Sequence, residues 1–184
     1  GCLLEMLDQY VLPNARDEGY AQSFTEKILP QSDVQSALEA QRPALSEFYE
    51  MVSAGRDFLE LEQWLKALEG KLLFSDLLID GYVVRLTEPQ AKAAFYASAA
   101  TPSSGLLPDE LPVCVARTAC DKYKHVQPMG PGAKVTGFLS NLLGEEDEED
   151  VVLAATGGAS GSLAASGRRW RSEKRRTGVR ARRQ

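Results

Sequence analysis

The stretches VSAGRDFLELEQ (residues 52–63) and AATPSSGLLPDE (residues 99–110) decide how this 184-residue chain is read. They align without a gap once Leu59 and Leu106 are set at the eighth position of a twelve-residue loop. In each, a Phe stands four residues before the first loop position (Phe48, Phe95), and a large apolar residue follows the loop directly (Trp64, Leu111). Ahead of the first loop, Leu45, Phe48, Tyr49 and Val52 fall at i, i+3, i+4 and i+7, which is one buried helical stripe. Leu61, Trp64, Leu65 and Leu68 repeat that spacing after it. Ala91, Ala94, Phe95 and Ser98 form a thinner stripe before the second loop. Leu111, Cys114, Val115 and Thr118 follow it on a helix expected to run to about Tyr123. Two helix–loop–helix units in tandem are expected.

The residues inside the loops decide whether such units can hold calcium. The ion takes six to eight oxygens, and a loop of this length supplies them from positions 1, 3, 5, 7, 9 and 12, with Gly at 6. In the first loop these positions carry Val52, Ala54, Arg56, Phe58, Glu60 and Gln63, with Asp57 at the glycine position. In the second they carry Ala99, Thr101, Ser103, Gly105, Leu107 and Glu110. Arg56 puts a cation where a carboxylate belongs, and only Glu110 is of the right type for the bidentate position. One carboxylate cannot offset the desolvation of a divalent cation, so no metal site and no cofactor are expected; Glu110 is the sole candidate ligand. The apolar frame is nevertheless kept, with Leu59 and Leu106 placed where the two loops would run side by side. A fold held by its core rather than by an ion follows from that contrast.

Outward from this pair, Cys2–Leu12 reads as a short helix ended by Pro13. Pro30 breaks the chain again, and Ser32 with Gln35 is read as a capping box opening a helix that ends near Gln41. Lys71–Leu86 reads as a packed, irregular linker with Gly81 as its turn signal. Thr87 and Gln90 form a second capping box around Glu88-Pro89. After the Pro/Gly-rich loop Gln127–Gly132, Val135, Phe138, Leu139, Leu142 and Leu143 mark one more amphipathic helix, closed by Gly144. Glu145–Asp150 is an unbroken acidic block, followed by a Gly/Ala/Ser tract and an arginine-rich end. This region is expected to lack the apolar surface that would offset the entropy of ordering it.

Charge is unevenly placed. Arg168–Arg183 hold nine of the 21 basic residues, leaving residues 1–167 with twelve basic against 25 acidic groups. So acidic a body repels nucleic acid, and only the tail (Arg168, Arg169, Arg171, Lys174, Arg175, Arg176) can attract nucleic acid or an acidic protein surface. A non-functional extension is a further reading of that tail. No apolar run approaches a membrane span, and no signal-peptide pattern is present. Because the chain opens on Gly1, it is also read as a fragment of something longer. Cys114 and Cys120 lie roughly 240° apart around one helix and cannot pair there. Reduced thiols in an intracellular compartment are expected.

Residues from about 2 to 126 resemble a divergent EF-hand-like module of the calmodulin superfamily, found in protist proteins and often associated with flagella. The likeness is carried by LLEMLDQYVLPNA (3–15), VQSALEAQRPALSEFYE (34–50), FLELEQWLKAL (58–68), RLTEPQAKAAFYASA (85–99) and LPDELPVCVARTACDKY (107–123). It implies a helical fold and no catalysis, in a cytoplasmic protein, with the cilium or flagellum as one setting. No calcium site is implied, since the liganding positions depart from the calcium-binding pattern.

The remaining constellations read as structure. His125, the one histidine, follows Tyr123-Lys124 at a helix end, where a Lys/His pair complements the helix dipole. Gly130-Pro131-Gly132-Ala133-Lys134 lacks the spacing of a phosphate loop and has no strand before it. Trp64 belongs to the core, and Glu62 with Lys66 is an exposed i, i+4 ion pair.

The expectation is therefore an all-α fold apart from a two-strand loop ribbon: paired EF-hand-like helix–loop–helix units with preceding N-terminal helices and a disordered C-terminal tail. Its parts would be N-terminal helices packed on the core (1–43), the degenerate EF-hand-like pair (44–126), a loop and amphipathic helix (127–144), and a disordered acidic then basic tail (145–184). The expected role is non-catalytic: an interaction or assembly module offering a partner helix a groove lined by Phe48, Met51, Leu68, Phe95 and Val115. Either Cys2–Leu12 or Val135–Leu143 is able to fill that groove in cis. The alternatives are a low-affinity calcium sensor using Glu110 and a nucleic-acid-binding protein acting through its tail.

Overall fold

A computed structural model describes residues 22–101 and 105–157. The helix expected over Cys2–Leu12 and the basic tail lie outside these residues. Within them the chain is mostly helical, with one small sheet. A short π-helical turn, Phe24–Ile28, leads into helices α1 (Ser32–Ala40), α2 (Arg42–Ser53) and α3 (Leu61–Gly70). Strands β1 (Ser75–Ile79) and β2 (Tyr82–Leu86) follow, then α4 (Glu88–Ser98), α5 (Leu111–Lys122), α6 (Pro131–Leu143) and α7 (Glu148–Thr156).

The helical stripes read from the sequence are the buried faces. Leu45, Phe48, Tyr49, Trp64, Leu68 and Phe95 are all buried, while Val52, Leu61 and Leu65 pack partly covered against them. Thr87 closes the expected capping box on α4, its backbone N–H donating to Gln90 Oε1 at 2.8 Å. The box at Ser32 does not form. Helix α1 begins at Ser32 with Gln31 before it, no side chain caps it, and Gln35 instead donates to the Leu29 carbonyl at 2.6 Å. With Gln31 as the N-cap, Ser32 falls at the first helical position and Gln35 at the fourth, one place out of the register a capping box requires.

Two expectations are corrected outright. Lys71–Leu86 is not an irregular linker: its second half is a β-hairpin, antiparallel from Ser75↔Leu86 to Ile79↔Tyr82. Asp80 and Gly81 turn it with φ of +51° and +82°, the mirror-image two-residue turn whose twist matches paired strands. Ile79, Val84 and Leu86 face the core, and Asp76, Leu78, Val83 and Arg85 face out. The acidic block is likewise no mere spacer. Residues 148–150 are the first turn of α7, whose Val151 and Val152 are buried. Carboxylates in a first turn complement the positive end of the helix dipole, and the two valines supply the apolar anchor. That anchor is tight, since a Cβ built on Gly137 of α6 would stand 2.3 Å from Val151 Cγ1.

Helix α5 is the centre of the packing, touched by α1, α2, α4, α6 and β2. Helix α6 lies across α1 and α5, tied to α1 where the Gly132 N–H donates to Asp33 Oδ2 at 2.9 Å. Helix α7 rests on α6 and β1.

Candidate functional site

The loop between α2 and α3 and the loop between α4 and α5 meet at Leu59 and Leu106. These residues form an antiparallel bridge, Leu59 N–H to Leu106 O at 2.8 Å and Leu106 N–H to Leu59 O at 2.9 Å, and both side chains are fully buried. Tyr49 of α2 reinforces the bridge, its hydroxyl donating to Leu106 O at 2.9 Å with Asp57 O at 3.1 Å. Burial raises the pKa of that phenol, which keeps it a donor. Gly105 has a φ of +87°, and a Cβ there would lie 2.5 Å from Leu59 O. Backbone therefore runs against backbone at this point, and only glycine permits it.

The positions that would face a cation are occupied by internal bonds. Glu110 accepts from the Ala100 N–H at 2.7 Å and from the Leu107 N–H at 2.8 Å, so both carboxylate oxygens close the second loop on itself. In the first loop Arg56 pairs with Glu60, and Gln63 accepts from the Glu60 N–H at 2.9 Å. Among the described residues no group of three or more His, Cys, Asp and Glu is placed to hold a metal.

The residues expected to line a groove are not on a surface. Phe48, Leu68, Phe95 and Val115 are buried in the common core, and of the five only Met51, at 67% exposure, reaches solvent. A groove between the two helix pairs would leave these four side chains in water. The β-hairpin and α6 lie on α5, and the core closes over them. Other exposed apolar side chains among the described residues include Phe58 and Leu107 beside the loop bridge, at 38% and 47%, Leu72 after α3, at 79%, and Leu77 on β1. Leu78 and Val83 form a second such pair on the outer hairpin face.

A polar cluster that sequence reasoning did not find sits under the hairpin. Lys122, at the end of α5, has no exposed surface. Its ammonium donates to Leu73 O at 2.6 Å and to Ser75 Oγ at 3.0 Å, and pairs with Glu148 Oε1 at 2.7 Å. Ser75 Oγ in turn donates to Glu148 Oε2 at 3.1 Å. Desolvation lowers the Lys122 pKa, and Glu148 partly restores it. Beside it, Tyr123 Oη accepts from Asn141 Nδ2 at 2.7 Å, and burial pushes that phenol up. One signal for this cluster was present. Lys122 continues the buried stripe Leu111, Cys114, Val115, Thr118, so a charge falls where the period demands an apolar group.

Glu148 also borders an acidic cleft of about 500 Å³ between the end of α3, the end of α6 and the start of α7. Lys71, Asn141, Glu145, Glu146, Asp147 and Asp150 are among the residues on its wall. The two described thiols offer no nucleophile: burial pushes Cys114 up to about 12 and Cys120 up to about 11, which leaves almost no thiolate at neutral pH. Among the described residues no helix is long and apolar enough to cross a membrane. No family model, no curated protein and no solved structure matches this chain.

Proposed function

We propose that this chain is a non-catalytic protein-interaction or assembly module, built as a degenerate EF-hand-like pair that works without calcium. The observation that carries the reading is the Leu59–Leu106 bridge between two loops whose polar side chains are already spent within their own loop. In a calcium-binding pair the carboxylate at the twelfth position turns to the ion. Here the Glu110 carboxylate serves as a backbone acceptor, which weighs against the sensor reading. Because Phe48, Leu68, Phe95 and Val115 are consumed internally, a partner helix would meet Met51, Phe58 and Leu107 on the loop side rather than enter a groove.

Calorimetry and thermal melts of the full chain test the metal-independent half of this reading. Calcium up to about 1 mM, the weak end of EF-hand affinities, is expected to give no saturable heat and no rise in Tm. A one-site isotherm with a matching thermal upshift would replace the interaction module with a sensor. The other half is tested with the chain as bait and the Phe58→Ser/Leu107→Ser variant as comparator. Loss of the captured partner in the variant is expected, and an unchanged set of captured proteins excludes this surface.

A further inference from the structure

We propose that β1 is a self-association strand: its free edge pairs antiparallel with β1 of a second copy of this chain, joining the two hairpins into one continuous sheet. The backbone supplies the first reason. The two-residue turn makes Ile79↔Tyr82 a hydrogen-bonded pair. Bonded and non-bonded pairs alternate along an antiparallel ladder. The N–H and C=O groups of Asp76 and Leu78 therefore point away from β2, and those of Val83 and Arg85 away from β1. Among the described residues the sheet has no third strand, and none of these backbone groups has a bonding partner. Apolar surface is the second reason. Leu77 shares the inward face with Val84, its partner across the ladder, yet Val84 is fully buried while Leu77 is 44% exposed. Helix α5 packs under β2, and the β1 side of the sheet overhangs it. On the outer face Leu78 is 73% exposed. Edge strands are ordinarily protected from pairing by charge, proline or a bulge. Here the ladder runs without a bulge, β1 has no proline, and its one charge, Asp76, is answered across the ladder by Arg85 at 3.6 Å.

A second copy fits this edge better than an unrelated chain because the edge complements itself. A two-fold axis through Leu77 pairs Asp76 with Leu78 of the second copy, and Leu78 with its Asp76. That register gives every outward N–H and C=O of both strands a partner. It sets the two Leu77 side chains against each other at the axis as a non-bonded pair, with Cα atoms about 4.5 Å apart, and shelters both from water. The two Leu78 side chains become diagonal neighbours on the outer face, about 7–8 Å apart. Charge agrees with the register: each Asp76 lies beside a leucine and keeps its own Arg85. Moving the axis to Asp76 would instead oppose two carboxylates, which is unfavourable. The β2 edge is the poorer candidate. Thr87, Gln90, Asp121 and His125 line a cavity of about 290 Å³ beside Val83 and Arg85, so a strand added there meets polar side chains. This pairing is independent of the EF-hand-like reading and of the surface at Phe58 and Leu107.

Sedimentation velocity on the full chain from about 10 μM to about 1 mM tests this, with amide exchange read residue by residue in ¹⁵N spectra. The mean mass is expected to rise from the 20.1 kDa of one chain toward twice that value. An interface of this extent belongs to the small class, below roughly 1,200 Å², which is why the upper concentration is needed. The Asp76 and Leu78 amides should exchange about fivefold slower at the high concentration, and the Val83 and Arg85 amides at an unchanged rate. Leu77→Lys sets two ammonium groups against each other at the axis and should raise the dissociation constant about tenfold. Phe58→Ser/Leu107→Ser should leave it unchanged. A mass that stays at one chain throughout overturns the proposal. So does a dimer whose slowed amides are Val83 and Arg85, or one that Leu77→Lys leaves intact. Should Leu77→Lys lose its fold by circular dichroism, the wild-type exchange pattern decides, since pairing at β1 must slow Asp76 and Leu78 as concentration rises.

Discussion

At residue 122 a lysine ammonium has been taken wholly out of water, and its geometry explains why the fold tolerates it. It donates to Leu73 O and Ser75 Oγ, and Glu148 Oε1 stands 2.7 Å away as its ion-pair partner. Glu148 supplies the neutralising charge from the first turn of α7. Removing one partner of a buried pair leaves the other charge uncompensated. Glu148→Gln is therefore expected to lower unfolding stability by about 3–5 kcal/mol, read from urea midpoints at constant slope. The double change Lys122→Met/Glu148→Met, which removes both charges, should stay within about 1–2 kcal/mol of wild type. Proton linkage adds a second readout. Desolvation depresses the Lys122 pKa in the folded state, so unfolding takes up a proton between that value and the ordinary lysine value. Stability tied to this group consequently rises as pH rises through that window. Without Glu148 the depression deepens and the window opens at lower pH. Raising the pH from 7 toward 9.5 should thus restore part of the loss in Glu148→Gln, with a steeper slope than wild type shows. A flat pH profile in the variant would mean that Lys122 finds another counter-charge.

Among the elements, the two loops hold each other through backbone contact, and Gly105 is the position where that contact admits no side chain. With a φ of +87° and Leu59 O standing 2.5 Å from any added Cβ, Gly105→Ala should destabilise by about 2–4 kcal/mol. Gly81→Ala, whose φ is +82° but which has nothing within 4 Å, should lose only about 1–2 kcal/mol. Paired denaturation curves separate strain alone from strain with collision; equal losses would show that the loop can move away from Leu59. The loop bridge was legible in the sequence because Leu59 and Leu106 occupy equivalent places in two aligned repeats, and burial at that spacing leaves a periodic trace. The hairpin was not legible as strands. Leu77, Leu78 and Ile79 are apolar in succession, with Leu78 and Val83 turned outward, which erases the alternation that marks a half-buried strand. The Asp80-Gly81 turn was the one local sign of it. The groove failed for another reason: periodicity identifies a buried face but does not say what buries it, and here α6 and the hairpin complete the core.

The whole molecule extends further along the chain than composition suggests. Glu145–Asp150 looks like a solvated run because six carboxylates in succession repel one another and bury nothing alone. Its order comes from outside, through Lys122 on α5, Ser75 on β1 and the close fit of Val151 against Gly137 on α6. Sequence patterns local to the segment carry no trace of partners about 14 to 73 positions away. The consequence is a sharp boundary. A chain stopped after Gly144 lacks Glu148, Val151 and Val152. It leaves the Lys122 ammonium without its counter-charge, at about 3–5 kcal/mol, and forgoes two buried valines at roughly 1.5–3 kcal/mol each. That total of at least 6 kcal/mol is comparable with the entire stability of a small domain, about 5–15 kcal/mol. Such a chain is expected to melt far below the full protein or to aggregate on expression. One stopped after Gly157 retains all three residues and should melt well above the 144-residue chain. Equal melting of the 144- and 157-residue chains would show that α7 is an ornament on a core already complete without it.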